Sequence, residues 1–319
     1  MEKTRFVKSV CSFYPATRAK QEQGLALVIT LLITAILVAV IVEIVYAVHI
    51  HISMTNSYRD AQRASLLAEG GVEFAGMGLD AIMKNMSYTA LNEENSYKVF
   101  AEGNKALVVK AEDEHGKVSL NAIVYSNGET NTEYYNIYSR LLENLGLGKE
   151  LSDTTADWID INDEIRPGGG ETYNYYQRLS SAYAAKNSPM DSIEELLLIK
   201  GYSATTYKRL TPFVTTYTDG SININTAPKE VIMSMHDDIT EDMAQRVLDY
   251  RRENPFKDTA DIRKVAGFET IGFSLQGKIV VKSNIFRIFS KADVGGTLRE
   301  VEAVVQTGQA HKILFWRER

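Results

Sequence analysis

The longest apolar stretch of the chain lies close to its N-terminus. Between Leu25 and Val42 no residue is charged, and the apolar run resumes after Glu43. An apolar stretch of this length predicts a helix that spans a membrane. The charged residues before it are mainly basic, and they are Lys3, Arg5, Lys8, Arg18 and Lys20 with Glu2 and Glu22. Because basic flanks stay on the inner side of a membrane, the chain beyond about residue 50 is expected outside.

A cleavable secretory signal is the simplest alternative interpretation of this stretch. The apolar cores of such signals run ~7–15 residues and end at a small-x-small site. Here the apolar core is longer, and its exit, YAVHIHISM, contains no clean Ala-x-Ala site. The pattern therefore favours a membrane helix that the protein keeps.

The helical pattern continues beyond the membrane segment. No proline occurs between residues 53 and 83, and apolar side chains recur at intervals of three or four residues, which is the spacing of one helix face. They are Ala61, Ala64, Ala68, Val72, Ala75, Leu79 and Ile82. The span and this amphipathic segment are therefore predicted to form one long helix. Because small residues permit close approach, we expect the inner half to pack on neighbouring helices and the outer half on the chain's own globular domain.

The remainder of the chain predicts an α+β fold. From Ser96 to Asn121 apolar and polar residues alternate, which predicts two or three short strands. A helical pattern extends from Asn136 to about Asp258, with Gly201 and Gly267 as helix stops. Strands then return, and Gly295-Gly296 predicts a hairpin. This order predicts one sheet with a large helical insertion, in which the first and last strands pair.

The helical block contains a weak internal repeat with a spacing of 66 residues. The segment EELLLIKG (Glu194–Gly201) aligns with ADIRKVAG (Ala260–Gly267), and each copy is expected to form a helix, a turn at glycine and a new element. Two copies are too few for a solenoid.

Composition excludes several classes of function. The chain has 35 basic and 41 acidic residues, a net charge of −6, which gives no electrostatic footprint for general nucleic-acid binding. A single cysteine, Cys11, permits no intramolecular disulfide. The five histidines are scattered, and GxGxxG and Walker patterns are absent. We therefore expect a protein that is not an enzyme.

The densest polar cluster is DTTADWIDINDEIRPGGGE (Asp153–Glu171). Calcium prefers several oxygen ligands from a flexible loop, and a glycine-rich stretch with many acidic side chains suits it. The candidate ligands are Asp157, Asp160, Asn162, Asp163 and Glu171. Their spacing is not that of an EF-hand. The alternative is a solvated acidic loop in which Asp153 caps a helix.

The N-terminal features together resemble the type IV pilin superfamily, with Gly24 before a long apolar helix, a basic leader and a globular domain outside. The resemblance implies that a prepilin peptidase cuts after Gly24 and that Leu25 becomes the mature N-terminus. Ile29 is then the fifth mature residue. Most members carry a glutamate there, thought to pair with the N-terminal amine of a neighbouring subunit, and isoleucine has no group for that pairing.

One branch of the superfamily lacks that glutamate, the K-type minor pseudopilins of type II secretion. The later segments of the chain resemble this branch in the same order. They are DEHGKVSLN (Asp113–Asn121), DWIDINDEIRPGGGETYNYY (Asp157–Tyr176), NSPMDSIEELLLIKGY, ININTAPKEVI, KSNIFRIFSKADVGG and ILFWRER. Some members bind calcium in this helical region, so the resemblance also favours calcium at the acidic loop.

The resemblance implies a function that is structural. The chain would cap the tip of the pseudopilus and initiate its assembly during protein export across the outer membrane. Its expected partners are the I-type and J-type minor pseudopilins in a heterotrimeric tip, the major pseudopilin and the prepilin peptidase. Its expected location is the bacterial inner membrane, crossed once, with the C-terminal domain in the periplasm.

The sequence pattern and the resemblance together divide the chain into six segments. They are a cleaved leader (1–24), a transmembrane helix (25–48), its amphipathic continuation (49–90), the first part of a pilin-like domain (91–135), a helical insertion (136–267) and closing strands (268–319).

Two other functions are compatible with parts of this pattern. One is a minor pilin of a type IV pilus that acts in adhesion. The other is a membrane-tethered DNA receptor, because residues 222–267 resemble helix-hairpin-helix modules. In those modules, backbone amides of a glycine-rich turn contact a phosphate. Here Asp237 and Asp238 stand where glycines are needed, and two carboxylates repel a phosphate. We therefore expect no nucleic-acid partner.

Overall fold

The computed structural model of the chain describes residues 17–91, 97–308 and 311–319. Most of the expected leader, with Cys11, lies outside the described residues. The chain divides into two compact units, Met1–Asp60 and Ala61–Arg319.

The secondary structure mixes one long helix, short helices and mostly antiparallel strands. The strands are β1 (Tyr97–Glu102), β2 (Lys105–Asp113), β3 (Val118–Ser119), β4 (Val214–Thr215), β5 (Ile222–Asn223), β6 (Ile279–Val280), β7 (Ile285–Val294), β8 (Thr297–Gln306) and β9 (Lys312–Glu318). The α-helices are α1 (Thr17–Asn85), α2 (Thr132–Asn144), α3 (Glu150–Ile159), α4 (Ala204–Leu210), α5 (Lys229–Ser234), α6 (Glu241–Glu253) and α7 (Ile271–Ser274). Short 3-10 helices are Glu114–Gly116, Leu120–Ile123, Tyr176–Arg178, Ile193–Leu198, Thr211–Phe213 and Thr259–Lys264.

The first unit consists of the apolar part of α1. Its most apolar window has a mean hydropathy of 3.2 and no buried residue, so the helix is long and apolar enough to cross a membrane. The hydroxyls of Thr30 and Thr34 donate to the carbonyls of Leu27 and Leu31, at 2.8 and 2.9 Å. These bonds occupy hydroxyl groups that would otherwise be costly in a hydrocarbon environment.

In the second unit, the outer half of α1 packs on one face of a sheet. Among the described residues this sheet has five strands in the order β1-β2-β7-β8-β9, all antiparallel. The buried side chains at this contact are Ala68, Val72, Leu79 and Met83 from α1 and Val109, Phe286, Ile288, Ala292, Val301, Ala303 and Val305 from the sheet. At Gly71, an added Cβ would lie 3.1 Å from Leu107 Cδ1, so glycine permits the close approach. The expected docking of the amphipathic segment is confirmed, but Ile82 of the predicted apolar face is 49% exposed, and the neighbouring Met83 is buried instead.

The end of α1 is set by bonds to another part of the chain. The helix stops at Asn85, before the boundary at residue 90 that the sequence suggests. The Thr89 N–H donates to the Val281 carbonyl at 2.7 Å, and the Asn223 side chain donates to the Thr89 carbonyl at 3.1 Å. These contacts hold the backbone after Asn85 away from a helical conformation.

The first and last strands pair across the insertion, as the sequence predicts. Strand β2 pairs with β7 over its whole length, from Lys105 opposite Val294 to Asp113 opposite Phe286. Strands β7 and β8 form the expected hairpin, in which Gly295 and Gly296 have φ angles of +60° and +83°. More than half of the chain therefore lies between two neighbouring strands, and the predicted α+β fold is confirmed.

Buried charges join the insertion to the sheet face that is turned away from α1. Arg287 points to that face because its neighbours Phe286 and Ile288 pack against the helix. Its Nε donates to Glu114 Oε1 at 3.0 Å, and its Nη1 donates to Glu302. Burial opposes ionisation of Glu114, but Lys117 and Arg287 outweigh it and lower the pKa of Glu114 to about 2. These ion pairs fasten the start of the insertion to the centre of the sheet.

The network continues to the edge strand and back to the insertion. Arg317 of β9 donates to Glu302 through Nη2 and to Glu194 Oε1 through Nη1, the latter at 2.6 Å. Glu194 belongs to the 3-10 turn Ile193–Leu198. Two separate segments of the insertion thus contact the same charged strip of the sheet.

The internal repeat of the sequence is confirmed as a structural repeat. The turns Ile193–Leu198 and Thr259–Lys264 are 66 residues apart, and each begins with a capping box, formed by Ser192 with Glu195 and by Asp258 with Asp261. Each is followed by a glycine of positive φ, Gly201 at +87° and Gly267 at +96°. In the first copy β3 pairs in parallel with β4, and in the second β5 pairs in parallel with β6.

One asparagine in each copy forms a clamp, in which it bonds to the backbone of the residue two positions before the first residue of the capping box. Asn121 exchanges two hydrogen bonds with the Met190 backbone, at 2.9 and 2.7 Å. Asn225 exchanges two with the Phe256 backbone, at 2.9 and 2.8 Å. The insertion is therefore two equivalent halves, and they differ mainly after α3 and α6. In the first half a long loop leads from Ile159 to Met190, whereas in the second Glu253 is followed almost directly by Phe256.

Because of the two clamps, the stability of the insertion depends on the side-chain amides of Asn121 and Asn225. We expect Asn121→Ala and Asn225→Ala each to lower the free energy of unfolding by roughly 1–3 kcal/mol, because backbone groups of another segment lose their partners. Chemical denaturation of the detergent-solubilised chain measures this. Asn127→Ala, in an exposed turn, is the matched control, and clamp variants no less stable than this control would contradict the expectation.

Candidate functional site

The acidic loop brings three of the predicted carboxylates into the protein interior. Asp157 lies in the last turn of α3 and Asp160 caps its C-terminus. Glu171 follows the three glycines at the end of the loop. Asp157 and Asp160 are fully buried and Glu171 is 2% exposed. Three buried carboxylates in one region are costly unless cations or donors compensate them.

A guanidinium compensates two of the three. Arg166 Nη1 lies 2.5 Å from Asp157 Oδ1 and 2.5 Å from Asp160 Oδ2. Its Nη2 donates to Thr130 Oγ1 at 2.7 Å. Burial raises the pKa of Asp157 and of Asp160, and the Arg166 contacts oppose that rise.

Glu171 has no such compensation. Neither of its carboxylate oxygens has a hydrogen-bond partner, and Asp160 Oδ1 is also buried without one. Burial, and then the nearby charges of Asp157 and Asp160, raise the pKa of Glu171 to about 8. Buried polar atoms without partners are rare and require an explanation such as an ion. The site therefore has buried oxygen atoms without partners that could bind a cation.

The glycines of the loop allow its backbone to approach these side chains. The Gly170 N–H donates to Asp157 Oδ2 at 3.0 Å. At Gly169, an added Cβ would collide with Asp157 Oδ2. The Lys200 ammonium donates to the Gly169 carbonyl at 2.5 Å and thereby holds the loop from the other side. The three glycines thus position the loop around Asp157.

The structure does not bring all of the predicted ligands close together. Asn162 Oδ1 accepts from the Glu164 N–H at 2.7 Å, and Asp163 is exposed. Asp153 accepts from the Tyr135 hydroxyl at 2.6 Å and from the Gly168 N–H at 3.1 Å. In the described part of the chain, no three His, Cys, Asp or Glu side chains are already arranged around one point as metal ligands. The core of the candidate site is Asp157, Asp160 and Glu171.

Sequence reasoning missed Arg166. The residue types of the acidic loop predicted oxygen ligands, and no role was predicted for the arginine that stands among them. The signal was present, because a single basic residue stands between Asp160 and Glu171. A buried acidic cluster needs a cation, and this residue is the one the loop itself supplies.

The processing positions lie in the first unit. Gly24, Leu25 and Ile29 belong to α1, Gly24 has nothing within 4 Å of the position of an added Cβ, and Ile29 is 48% exposed. An open glycine on an exposed helix is accessible to another protein, and Ile29 presents a hydrocarbon side chain in place of a carboxylate.

The hairpin that resembles a DNA-binding module carries exposed acids. It joins α5 to α6, and the Asp237 side chain is 80% exposed, with its Oδ1 3.1 Å from Arg140 Nη1. Asp238 lies 3.6 Å from His236 Nδ1 and is also exposed. These carboxylates occupy the surface at which a phosphate would approach.

Comparison with known proteins gives consistent matches. Two family models for type II secretion system protein K match residues 116–219 and 222–282, which correspond to the two halves of the insertion. The chain is 29% identical over 215 residues to type II secretion system protein K of Pseudomonas aeruginosa, which covers 65% of this chain and 62% of the relative. It is 30% identical over 176 residues to the protein K of Aeromonas hydrophila, covering 53% of each. The chain thus spans less than two thirds of the length of these curated relatives.

A solved structure shares the fold. One chain in the crystal structure of the GspK-GspI-GspJ complex from the type 2 secretion system of enterotoxigenic Escherichia coli aligns with a TM-score of 0.72 and 19% identity. The alignment covers 83% of this chain and 99% of that chain. Together with the matched family models, the long helix, the sheet and the two-part insertion lead to one conclusion. The chain belongs to the type II secretion system protein K family, the K-type minor pseudopilins.

Proposed function

We propose that this subunit caps the tip of a type II secretion pseudopilus and initiates its assembly. The observation that carries the proposal is the insertion between β2 and β7. It occupies more than half of the chain and is fastened to the sheet face that α1 does not cover. A subunit with this mass on its sheet obstructs close stacking inside a filament, but it is compatible with an end position.

The N-terminal sequence supports the same position. A subunit with isoleucine at residue 29 offers no carboxylate to the N-terminal amine of a subunit ahead of it. An unneutralised amine within an apolar environment is unfavourable. At a tip no subunit lies ahead, so the missing carboxylate has no cost.

The proposed partners are the I-type and J-type minor pseudopilins, in a heterotrimer. Family membership supports this proposal, as does the fold shared with a chain of the GspK-GspI-GspJ complex. The major pseudopilin would follow beneath the heterotrimer. A prepilin peptidase would first cut after Gly24 and leave Leu25 as the N-terminus. The basic leader supports an inner-membrane location with residues 61–319 in the periplasm.

The proposed role is structural and not enzymatic. The buried charged groups at the junction of the sheet and the insertion, Glu114, Arg287 and Glu302, bond to one another across different elements of the fold. Their function in this account is to hold the insertion in place.

We also propose a calcium ion at the acidic loop. Asp157, Asp160 and Glu171 would hold it, with Asn162 and Asp163 on the adjacent part of the loop. The residues fit such an ion because Glu171 and Asp160 have buried oxygens without partners and because the donor set is all oxygen. The ion would neutralise these carboxylates and restrain the loop between Asp160 and Glu171.

Processing gives the first test. Mass spectrometry of the mature protein should find an N-methylated Leu25 at the N-terminus. Gly24→Val should leave the leader attached, because the peptidase acts at that glycine. Gly70→Ala, at another open helical glycine, is the control and should be processed normally. A mature N-terminus beyond Tyr46 would contradict the proposal.

Tip incorporation gives the second test. Antibody labelling of pseudopili should detect this subunit at one end of the filament only. Deleting the genes for the I-type and J-type partners should abolish that labelling, and restoring both genes should recover it. Unchanged labelling at the tip in their absence would refute the proposed heterotrimer, and labelling along the filament would refute the capping role.

The acidic loop gives the third test. In the absence of metal, wild-type stability should fall as pH rises from about 4.5 to about 8, because unfolded Glu171 ionises before folded Glu171 does. Glu171→Gln should remove this loss and raise the free energy of unfolding at pH 8 by roughly 2–4 kcal/mol. Calcium should stabilise the wild type and have little effect on the variant.

Thermal and denaturant unfolding with and without calcium measure these effects. Glu164→Gln, at an exposed position of the same loop, removes one carboxylate that is not among the proposed ligands and serves as the control. An equal response to calcium in wild type and Glu171→Gln would exclude Glu171 as a ligand.

A further inference from the structure

The guanidinium of Arg166 occupies the position between two of the proposed calcium ligands. One nitrogen, Nη1, is within 2.5 Å of an oxygen of Asp157 and within 2.5 Å of an oxygen of Asp160. Both carboxylates are fully buried, and the Arg166 side chain is 18% exposed. A divalent ion that bridged the same two carboxylates would need the space of this nitrogen, and two cations there would repel each other.

Arg166 only partly fulfils this role. Its guanidinium bonds to two of the three buried carboxyl groups, and both oxygens of Glu171 are left without a partner. A calcium ion carries two charges and accepts six to eight oxygen ligands. It would therefore satisfy Glu171 as well as the two aspartates, which a guanidinium in the observed position does not.

The loop permits the guanidinium to leave while its backbone stays in place. The Arg166 N–H donates to Asp157 Oδ2 at 3.3 Å, and the Arg166 carbonyl accepts from the Gly169 N–H at 2.9 Å. The neighbouring side chains of Glu164 and Ile165 are exposed, so solvent is close. Rotation of the side chain would also break its bond to Thr130, which belongs to a separate turn.

We infer that Arg166 is a built-in competitor for the cation site. Its guanidinium neutralises Asp157 and Asp160 in the metal-free protein, and calcium displaces it. This inference rests on the calcium site proposed above. The competition lowers the apparent affinity, because each binding event must first break charge-assisted hydrogen bonds. The site then fills only where calcium is abundant, and filling it releases the contact between the loop and Thr130.

Calcium titration of the detergent-solubilised full chain tests the inference. Isothermal calorimetry should show that Arg166→Gln binds calcium at least about tenfold more tightly than wild type, since the bonds to be broken are charge-assisted. Arg166→Lys keeps a positive charge that still competes with calcium, so its calcium affinity should stay below that of Arg166→Gln. Lys186→Met is the matched control. Lys186 also bridges two carboxylates, Asp191 and Glu195, at 2.6 and 2.7 Å, and its removal should leave calcium affinity unchanged.

A second measurement follows the guanidinium itself. In wild type with isotope-labelled arginine, calcium should shift the Arg166 side-chain NMR signals to those of a mobile, solvated group. If Arg166→Gln is unstable without metal, the variant is prepared with calcium bound. Competition with a chelator then gives its calcium affinity.

The outcomes separate the two proposals. Calcium binding by wild type with equal or weaker binding by Arg166→Gln would overturn the inference and identify Arg166 as a support of the ligands. An Arg166 signal unchanged by bound calcium would overturn it too. Absence of calcium binding in wild type and in every Arg166 variant would instead refute the calcium site.

Discussion

The ion pairs of Arg287 are the constraint on which the rest of the fold depends. Strands β2 and β7 are neighbours, yet the whole insertion leaves the sheet at the end of one and returns at the start of the other. Arg287, buried at the start of β7, bonds to Glu114 at the exit of β2 and to Glu302 on β8. Loss of one partner would leave a buried charge uncompensated, which is far more costly than loss of a surface pair.

Asp113 reinforces the same junction with neutral donors. Its Oδ2 accepts from Ser283 at 2.6 Å, Thr226 at 2.6 Å and Asn223 at 2.8 Å, so that the two ends and the middle of the insertion meet at one carboxylate. The sheet is therefore a pilin-like platform, and the separate helical body is held on it by polar contacts at this junction and by the Arg317–Glu194 ion pair. This separation explains why α1 and the sheet keep a simple pattern while the insertion has its own internal repeat.

Local sequence patterns were sufficient to predict the long helix and the sheet. The other features depend on contacts between residues that are far apart in the sequence, so the sequence predicted them only in part. Alternation and the Gly295-Gly296 turn were sufficient for the β7–β8 hairpin. In the sequence the repeat was visible only in the two short segments that end at Gly201 and Gly267, since the Asn121 and Asn225 clamps join residues 69 and 31 positions apart. At the acidic loop, residue types predicted a cation site, but burial determines which of the predicted ligands lie close together. Glu171 turns inward while Asp163 faces solvent, and no periodicity records that difference.

The near-equivalence of the two halves also has a practical consequence. In the first half the fold accommodates the whole acidic loop after α3, whereas in the second Asn254 and Pro255 alone join α6 to Phe256. The architecture thus tolerates a long segment at the equivalent place. A short epitope inserted between Asn254 and Pro255 would use that tolerance as an attachment point, and it would make the subunit visible by electron microscopy within an assembled secretion machine.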